Sequence, residues 1–483
     1  MYKQRNCGGR DVMGVLDLLA NVANYLPTAI KPARKPGLYE RLFWTAIALV
    51  TYVVMSNTPL YGISVAQQNI LLLEIIFASN AGTLMELGIG PIVTAGLIMQ
   101  ILVGAKLIDM DLSNPSDRKK FTAAQKTFAV LLAAFQAGMY AAGCRYWTVT
   151  PGQNPFFGCT ASLTTRALTS LQLFLASYVV ILLDEMIQKG WGIGSGISLF
   201  ILAGVAQRIF WNIFSPVVVY GEKFGLVPHL IDVLSAGRSL SNILVRAYGA
   251  DILGLVATIV VVFVVVYLQS MTIQIPASSP KLRSIKTKIP LQFLYVTNIP
   301  VLLVGILYSD LVIFANIARM FGSGWIADVM AKYDSDNRLI GGLAYYLSPP
   351  SNIYGVLADP FKALVYSTSF IVLAVLFGVL WIEVAGLNAE AQAEQLIKSG
   401  IEIPGLRRNP KILKDRLEKI IPPLTILSSI IVALIAISAD IAGAYGSGMG
   451  LLLAVGIVQQ YYSLITYERA LEAYPLLKKL VGE

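Results

Sequence analysis

Nine stretches of this chain run for 16 to 27 residues without a single charged side chain. They are residues 42–57, 87–105, 127–144, 167–183, 252–269, 291–309, 364–382, 421–439 and 441–467. A helix rises about 1.5 Å per residue, so about 20 apolar residues cross the hydrocarbon core of a bilayer. A tenth stretch, 192–207, is shorter and is flanked by Lys189 and Arg208. Backbone polar groups in lipid must be paired within their own segment, so these stretches predict helices. Only 13% of residues are charged and 56% are hydrophobic, against about 25% charged in soluble domains. Such a chain cannot coat a water-facing surface. The expected fold class is an all-α membrane protein with ten transmembrane helices.

The basic residues orient the spans. With the N-terminus inside and the spans alternating, the inside segments carry 27 of the 37 Lys and Arg residues. By the positive-inside rule both termini face the cytoplasm. Residues 11–30 hold Val12, Val15, Leu16, Leu19 and Val22 at helical spacing, with Asp11, Asp17 and Asn21 between them. This predicts an amphipathic helix on the cytoplasmic leaflet, or a helix packed on cytoplasmic loops. No A-x-A-like cleavage site follows the N-terminal segment, so a cleaved signal peptide is not expected.

Several spans are broken by Gly or Pro. Residues 70–77 are apolar but too short to cross, contain Glu74, and run into Ser79, Asn80, Ala81 and Gly82. On the outer side of two spans this predicts a re-entrant segment. Further breaks lie at Gly88-Ile89-Gly90-Pro91, at Gly190 to Gly196, at Pro300 and Gly305 in the seventh span, and at Gly443 to Gly450. One such glycine is ordinary close packing. The set predicts a pathway through the bundle, as in channels and transporters. A solute transporter would also need a polar coordinating cluster at mid-membrane, whereas apolar residues flank these breaks. A structural scaffold would not need the outer re-entrant segment.

The cytoplasmic segments 276–290 and 398–419 are strongly basic. They read either as positive-inside bias or as a dock for a polyanion such as RNA. The chain has no Walker A loop, HExxH or GxSxG motif and no Cys/His metal spacing. Its single histidine leaves little room for imidazole chemistry. Asp184, Glu185 and Glu383 sit near the cytoplasmic ends of spans, where exposure or capping is the simpler role. No enzyme and no cofactor are expected.

The motif Asn80-Ala81-Gly82-Thr83-Leu84-Met85-Glu86-Leu87-Gly88-Ile89-Gly90-Pro91-Ile92-Val93-Thr94 resembles the second span of the SecY family and its endoplasmic-reticulum α-subunit counterparts. Residues 194–201, Thr297-Asn298-Ile299-Pro300, residues 342–350 and residues 446–450 are similar to other family motifs. The resemblance runs from about residue 25 to the end, and its wording is nearer the archaeal and eukaryotic branch. It implies a pore-forming translocon subunit, a passive conduit for unfolded preproteins that also releases membrane segments sideways into lipid. It further implies two pseudo-symmetric five-helix halves around an hourglass pore, with a short plug helix at about 64–79.

On that resemblance the domain boundaries become a cytoplasmic segment 1–41, halves at 42–215 and 251–468, an outer loop 216–250 and a tail 469–483. The family's pore ring falls on Ile89, Val93, Ile197, Ile201, Leu302 and Leu453. Its lateral gate falls on Thr94, Gln136 and Asp310. Asp310 departs from the family's usual Asn, so its role stays open, pairing with a base included. Ribosome-docking positions fall on Arg283 and Arg407, with Lys286, Lys288 and Arg408 beside them. Implied partners are small SecE/gamma-type and beta-type membrane subunits, the ribosome, signal peptides and nascent preproteins, and lipid. The implied location is an archaeal cell membrane, the alternative being the endoplasmic reticulum. Cys144 and Cys159 share one outer loop, where a disulfide and two unrelated cysteines are both allowed.

Overall fold

In a computed structural model the described residues are mainly helical, with three short two-stranded sheets between helices. The structure describes residues 17–34, 36–63, 82–104, 107–108, 110, 115–147, 158–219, 221–237, 241–246, 249–278, 286–296, 299–320, 324–333, 339–350, 352–398 and 410–473. Each expected span falls on one helix. These are α1 (Leu38–Asn57), α2 (Gly90–Gly104), α3 (Pro115–Ala142), α4 (Leu163–Met186) and α5 (Gly196–Phe214). They continue with α6 (Ile252–Ser270), α7 (Ile299–Met320), α8 (Pro360–Val384), α9 (Ile421–Ile441) and α10 (Gly448–Ala473). Among the described residues, seven of the ten are long and apolar enough to cross a membrane by length and composition alone. The exceptions are α2 and α7, whose apolar stretches are shorter, and α3, whose apolar residues are interrupted by Gln125, Lys126 and Gln136.

Local chemistry sets where these helices begin. Pro91, Pro115, Pro300, Pro360 and Pro422 each occupy a first or second helical position, where no N–H is needed and φ is already helical. The Ser162 hydroxyl, Asp251 carboxylate and Asp359 carboxylate cap α4, α6 and α8 through the amides of Thr165, Gly254 and Lys362. Pro300 therefore opens the seventh span and does not interrupt it.

The seventh span is also shorter than its apolar stretch. Leu291 and Gln292 close a hairpin of β1 (Thr272–Ser278) and β2 (Lys286–Gln292), paired from Thr272–Gln292 to Ser278–Lys286. Val296 then packs with Ile382, Ala389, Ala393, Leu413, Leu417 and Ile421. Periodicity alone does not separate a short apolar run in a strand from one in a helix. Pro276 and Pro290 concealed the hairpin, but a two-stranded sheet is all edge and tolerates proline.

Near the N-terminus, residues 17–22 are helical and Ala23–Tyr25 form one tighter turn. The chain is extended from Pro27, so the helix ends before the expected residue 30. It rests on protein: the Thr127 hydroxyl donates to the Leu19 carbonyl at 2.8 Å, and Lys126 and Tyr178 both donate to the Pro27 carbonyl at 3.0 Å. Residues 11–16 lie outside the described residues.

The chain forms two compact units. One comprises Met1–Phe210, Ile306–Ser348 and Ile457–Glu483; the other comprises Trp211–Gly305 and Pro349–Gly456. In the first unit, α3 packs on both α2 and α4. Tyr52 of α1 stacks on Phe200 of α5 with ring centroids 5.0 Å apart. In the second, α9 packs on α8 and α6. Thr425, Ser428, Ser429, Ala433 and Ala436 give α9 a buried small-residue face that permits close approach, while Ile426, Leu427 and Leu434 are exposed. Phe263 and Tyr267 of α6 are likewise exposed, a pattern that suits lipid as solvent.

Candidate functional site

The expected ring residues lie within two turns of helix starts, and buried carboxylates fix two of those starts. In the first unit, Asp184 at the end of α4 accepts the backbone N–H of Ile197 at 3.0 Å. Gly196 makes this corner possible, since a Cβ there would meet the Asp184 Cα at 2.7 Å. Tyr461 of α10 seals the other side: its hydroxyl donates to the Ser195 carbonyl at 2.8 Å and accepts the Ser195 N–H at 3.1 Å. Gly194, at φ 72°, has no room for a side chain against that same Tyr461 ring. The glycine run thus serves one tight corner that sets where α5 begins. Ile197 and Ile201 follow one turn apart, half-buried and buried respectively.

The second unit repeats the device. Asp440 near the end of α9 is buried and accepts the Gly448 N–H at 2.7 Å and the Tyr366 hydroxyl at 2.8 Å. One carboxylate therefore ties α8, α9 and the start of α10. The intervening turn docks on α6, where the Tyr445 N–H donates to the Thr258 hydroxyl at 2.8 Å and the Tyr445 hydroxyl donates to the Asp251 carbonyl at 2.5 Å. Leu453, buried, follows five residues after Gly448. From the sequence Asp184 reads as exposed or capping, and the structure makes it a buried cap; the matching role of Asp440 had been missed. An Asp eight to twelve residues before a helix-opening glycine was the available signal.

Ile89 and Val93 bracket the Pro91 turn, with the Val93 N–H donating to the Ile89 carbonyl at 3.1 Å. Ile89 is fully buried and Val93 half-buried. Leu302 sits half-buried in the first turn of α7.

Two of the three expected gate residues meet. The Thr94 hydroxyl lies 3.3 and 3.4 Å from the two carboxylate oxygens of Asp310, which links α2 to α7. Gln136 is buried on α3. The base envisaged for Asp310 is not found: among the described residues Asp310 forms no ion pair. Lys286 and Lys288 lie on β2 opposite Ser278 and Pro276, in a strand and not in the loop expected. Arg283, Arg407, Arg408 and the plug segment 64–79 lie outside the described residues. Cys144 and Cys159 are joined in a disulfide with Cα atoms 5.7 Å apart. No group of three or more His, Cys, Asp or Glu able to hold a metal occurs among the described residues.

Comparison with known proteins places this arrangement. Residues 83–462 match the SecY family model, and residues 50–82 match the plug domain of Sec61p. The chain is 50% identical to a protein translocase subunit SecY of Aeropyrum pernix, covering 98% of this chain and 99% of that protein. It is 36% identical to a Sec61 subunit alpha of Dictyostelium discoideum, over 94% of this chain and 97% of the other. A solved protein-conducting channel superposes with a TM-score of 0.76 at 33% identity, over 93% of this chain and 97% of that one. Sec61 from a canine ribosome–channel complex of the endoplasmic reticulum gives 0.74 at 32% identity, over the same shares. The chain belongs to the SecY family of protein-translocation channels.

Proposed function

We propose that Ile89, Val93, Ile197, Ile201, Leu302 and Leu453 form the waist of this protein-conducting channel. One observation carries the reading: all six are branched aliphatics within two turns of a helix start, and none is exposed. Water at an aliphatic constriction loses hydrogen-bond partners, so such a ring seals by dewetting. The same side chains make no directional bonds and can yield to an extended polypeptide of any sequence. The chain is a channel, not an enzyme, and its partner supplies the driving force.

Thr94, Gln136 and Asp310 are the polar groups of the lateral gate. Parting α2 and α3 from α7 and α8 there exposes an apolar segment to lipid, and burial of about 25 cal/mol per Å² drives its exit. Residues 42–215 and 251–468 act as the two halves. A related channel is found bound to the ribosome, and the basic positions Arg283, Lys286, Lys288, Arg407 and Arg408 supply phosphate contacts for such a dock. Small SecE/gamma-type and beta-type subunits complete the complex. Archaeal relatives at 50% and 45% identity favour the cell membrane of an archaeon over the endoplasmic reticulum, and the Lys/Arg bias puts both termini in the cytoplasm.

A photoreactive side chain at Ile197 or Leu302 is expected to crosslink to a stalled secretory chain. Translocation at the normal rate with no crosslink from either position would reject the waist.

A further inference from the structure

A helix between α5 and α6 turns apolar residues both toward the protein and away from it. It runs from Leu226 to Ser235. Leu226, His229 and Val233 are buried, at helical spacing along one side. Val227, Leu230, Ile231 and Leu234 form a second row at helical spacing, in which Ile231 is 58% and Leu234 61% exposed. Pro228, Asp232 and Ser235 hold the remaining arc, where Asp232 takes the Lys223 ammonium at 2.8 Å. A helix on a water-facing surface keeps one apolar stripe for the protein and turns polar residues to solvent. A second apolar row facing outward marks a surface that something other than water covers.

The end of α5 fixes the height of this helix. The Gly225 N–H donates to the Ser215 carbonyl at 3.0 Å and the Phe224 N–H to the Val217 carbonyl at 2.8 Å. A Cβ on Gly225 would meet the Ser215 backbone at 2.5 Å, so the helix begins directly on the residue that follows α5. Trp211 and Phe214 in the last turn of α5, and Val217 and Val218 just beyond it, are exposed. A tryptophan at the end of a span marks headgroup level. The start of α6 holds the same loop. The buried Arg246 guanidinium donates to the Lys223 and Ala250 carbonyls, each at 3.0 Å, and to the Glu222 carboxylate at 3.2 Å. Its backbone N–H donates at 3.3 Å to the Asp251 carboxylate that caps α6. Glu222, Lys223, Asp232 and Arg246 thus pair among themselves. What covers the outward row is therefore apolar and lies at the level where two spans end.

We propose that the helix Leu226–Ser235 lies in the bilayer surface beside the end of α5, with Val227, Leu230, Ile231 and Leu234 at the acyl boundary and Asp232 and Ser235 toward water. The occupant of the row is lipid, because the row starts where the exposed apolar side chains of α5 end, and because it offers an apolar stripe and no charge. Interfacial helices bury one such face at the boundary between headgroups and acyl chains. The cytoplasmic termini proposed above make this the outer leaflet; the depth of the helix does not depend on that assignment. The loop between α5 and α6 then rests on lipid and does not stand in water.

The test uses the purified channel complex in proteoliposomes, with a nitroxide on one introduced cysteine. Cys7→Ser removes the cysteine that is not in the Cys144–Cys159 disulfide. Ile231→Cys and Leu234→Cys report on the row; Ala236→Cys, exposed just past the helix, reports on the water side. Collision with oxygen, which concentrates in lipid, is compared with collision with a water-soluble nickel chelate. The oxygen-to-nickel ratio at 231 and 234 is expected to exceed that at 236 roughly fivefold or more. Equal ratios at the three positions place the row in water and overturn the proposal. Protection from both reagents at 231 and 234 means that a protein chain covers the row, and overturns it as well. Should the labelled variants fail to fold, the wild-type complex is irradiated in vesicles with a phosphatidylcholine that carries a diazirine near the headgroup end of its acyl chain. Lys223 and Arg238 bracket the tryptic peptide 224–238. Lipid adducts on that peptide support the proposal; adducts on α5 and α6 without any on the peptide overturn it.

Discussion

Asp310 holds its carboxylate against the Thr94 hydroxyl, with the two oxygens 3.3 and 3.4 Å from it, inside a helix that otherwise reads as a span. One hydroxyl is poor compensation for a carboxylate at membrane depth. Asp310→Asn keeps an acceptor for Thr94 and removes the charge. It is expected to stabilise the resting complex by about 1–3 kcal/mol, read as a higher melting temperature in detergent. Translocation of substrates with weakly apolar signals should slow in parallel, since the α2–α7 link then opens less readily. A melting temperature at or below wild type contradicts this account.

Asp440 is the more demanding position, because it serves three helices. Asp440→Ala removes the carboxylate acceptor of the Tyr366 hydroxyl and of the Gly448 N–H in a buried site. The expected loss is roughly 2–4 kcal/mol. Asp440→Asn can still accept from Gly448 and should recover at least half of that loss. Equal destabilisation by Ala and Asn would show that volume, and not hydrogen bonding, matters at this corner.

The Cys144–Cys159 disulfide closes a loop of 15 residues. Chain entropy assigns such a loop about 3 kcal/mol. Alkylation of the denatured protein should modify neither cysteine until a reductant is added, and the mass shift under reduction should then include both. Cys144→Ser with Cys159→Ser should lower the melting temperature to the value of the reduced wild type. Alkylation of both cysteines without reductant would sink the prediction.

The spans were legible because length without charge is a one-dimensional property, and ten helices fall where ten apolar stretches were read. Helix starts were partly legible, as at Pro91, where a proline announces its own position. The hairpin 272–292 was not, since Pro276 and Pro290 argue against strands unless both strands are edges. The corners at Asp184 and Asp440 were only partly legible, for another reason. Their glycines were visible, but a glycine that accommodates a buried carboxylate looks the same in sequence as one that only packs. Cys144 and Cys159 left pairing undecided because spacing does not report distance. The contacts of Trp147 with Gly62 and of Arg145 with Glu86 join residues 85 and 59 positions apart, and no local pattern encodes them.

The proposed aliphatic waist gives the last prediction its sign. A dry constriction excludes ions because each side chain offers water nothing to bond, so one hydroxyl should matter less than several. Replacing Ile197 alone with Ser is expected to raise resting anion conductance modestly. Replacing Ile89, Val93, Ile197 and Ile201 together should raise it by at least tenfold, a change of about 1.4 kcal/mol in the free energy of wetting. Conductance is read in planar bilayers with the purified complex. The Asp184 carboxylate that sets the start of α5 is untouched, so folding should persist and the melting temperature should fall only in proportion to lost apolar burial. Asp184→Asn supplies the converse control: it leaves every aliphatic side chain in place and alters only the corner that aims Ile197. If the waist depends on where α5 begins, this variant conducts above wild type although its ring is intact. Wild-type conductance in the fourfold variant would mean that these side chains do not line the ion path, and the seal would have to be sought elsewhere in the bundle.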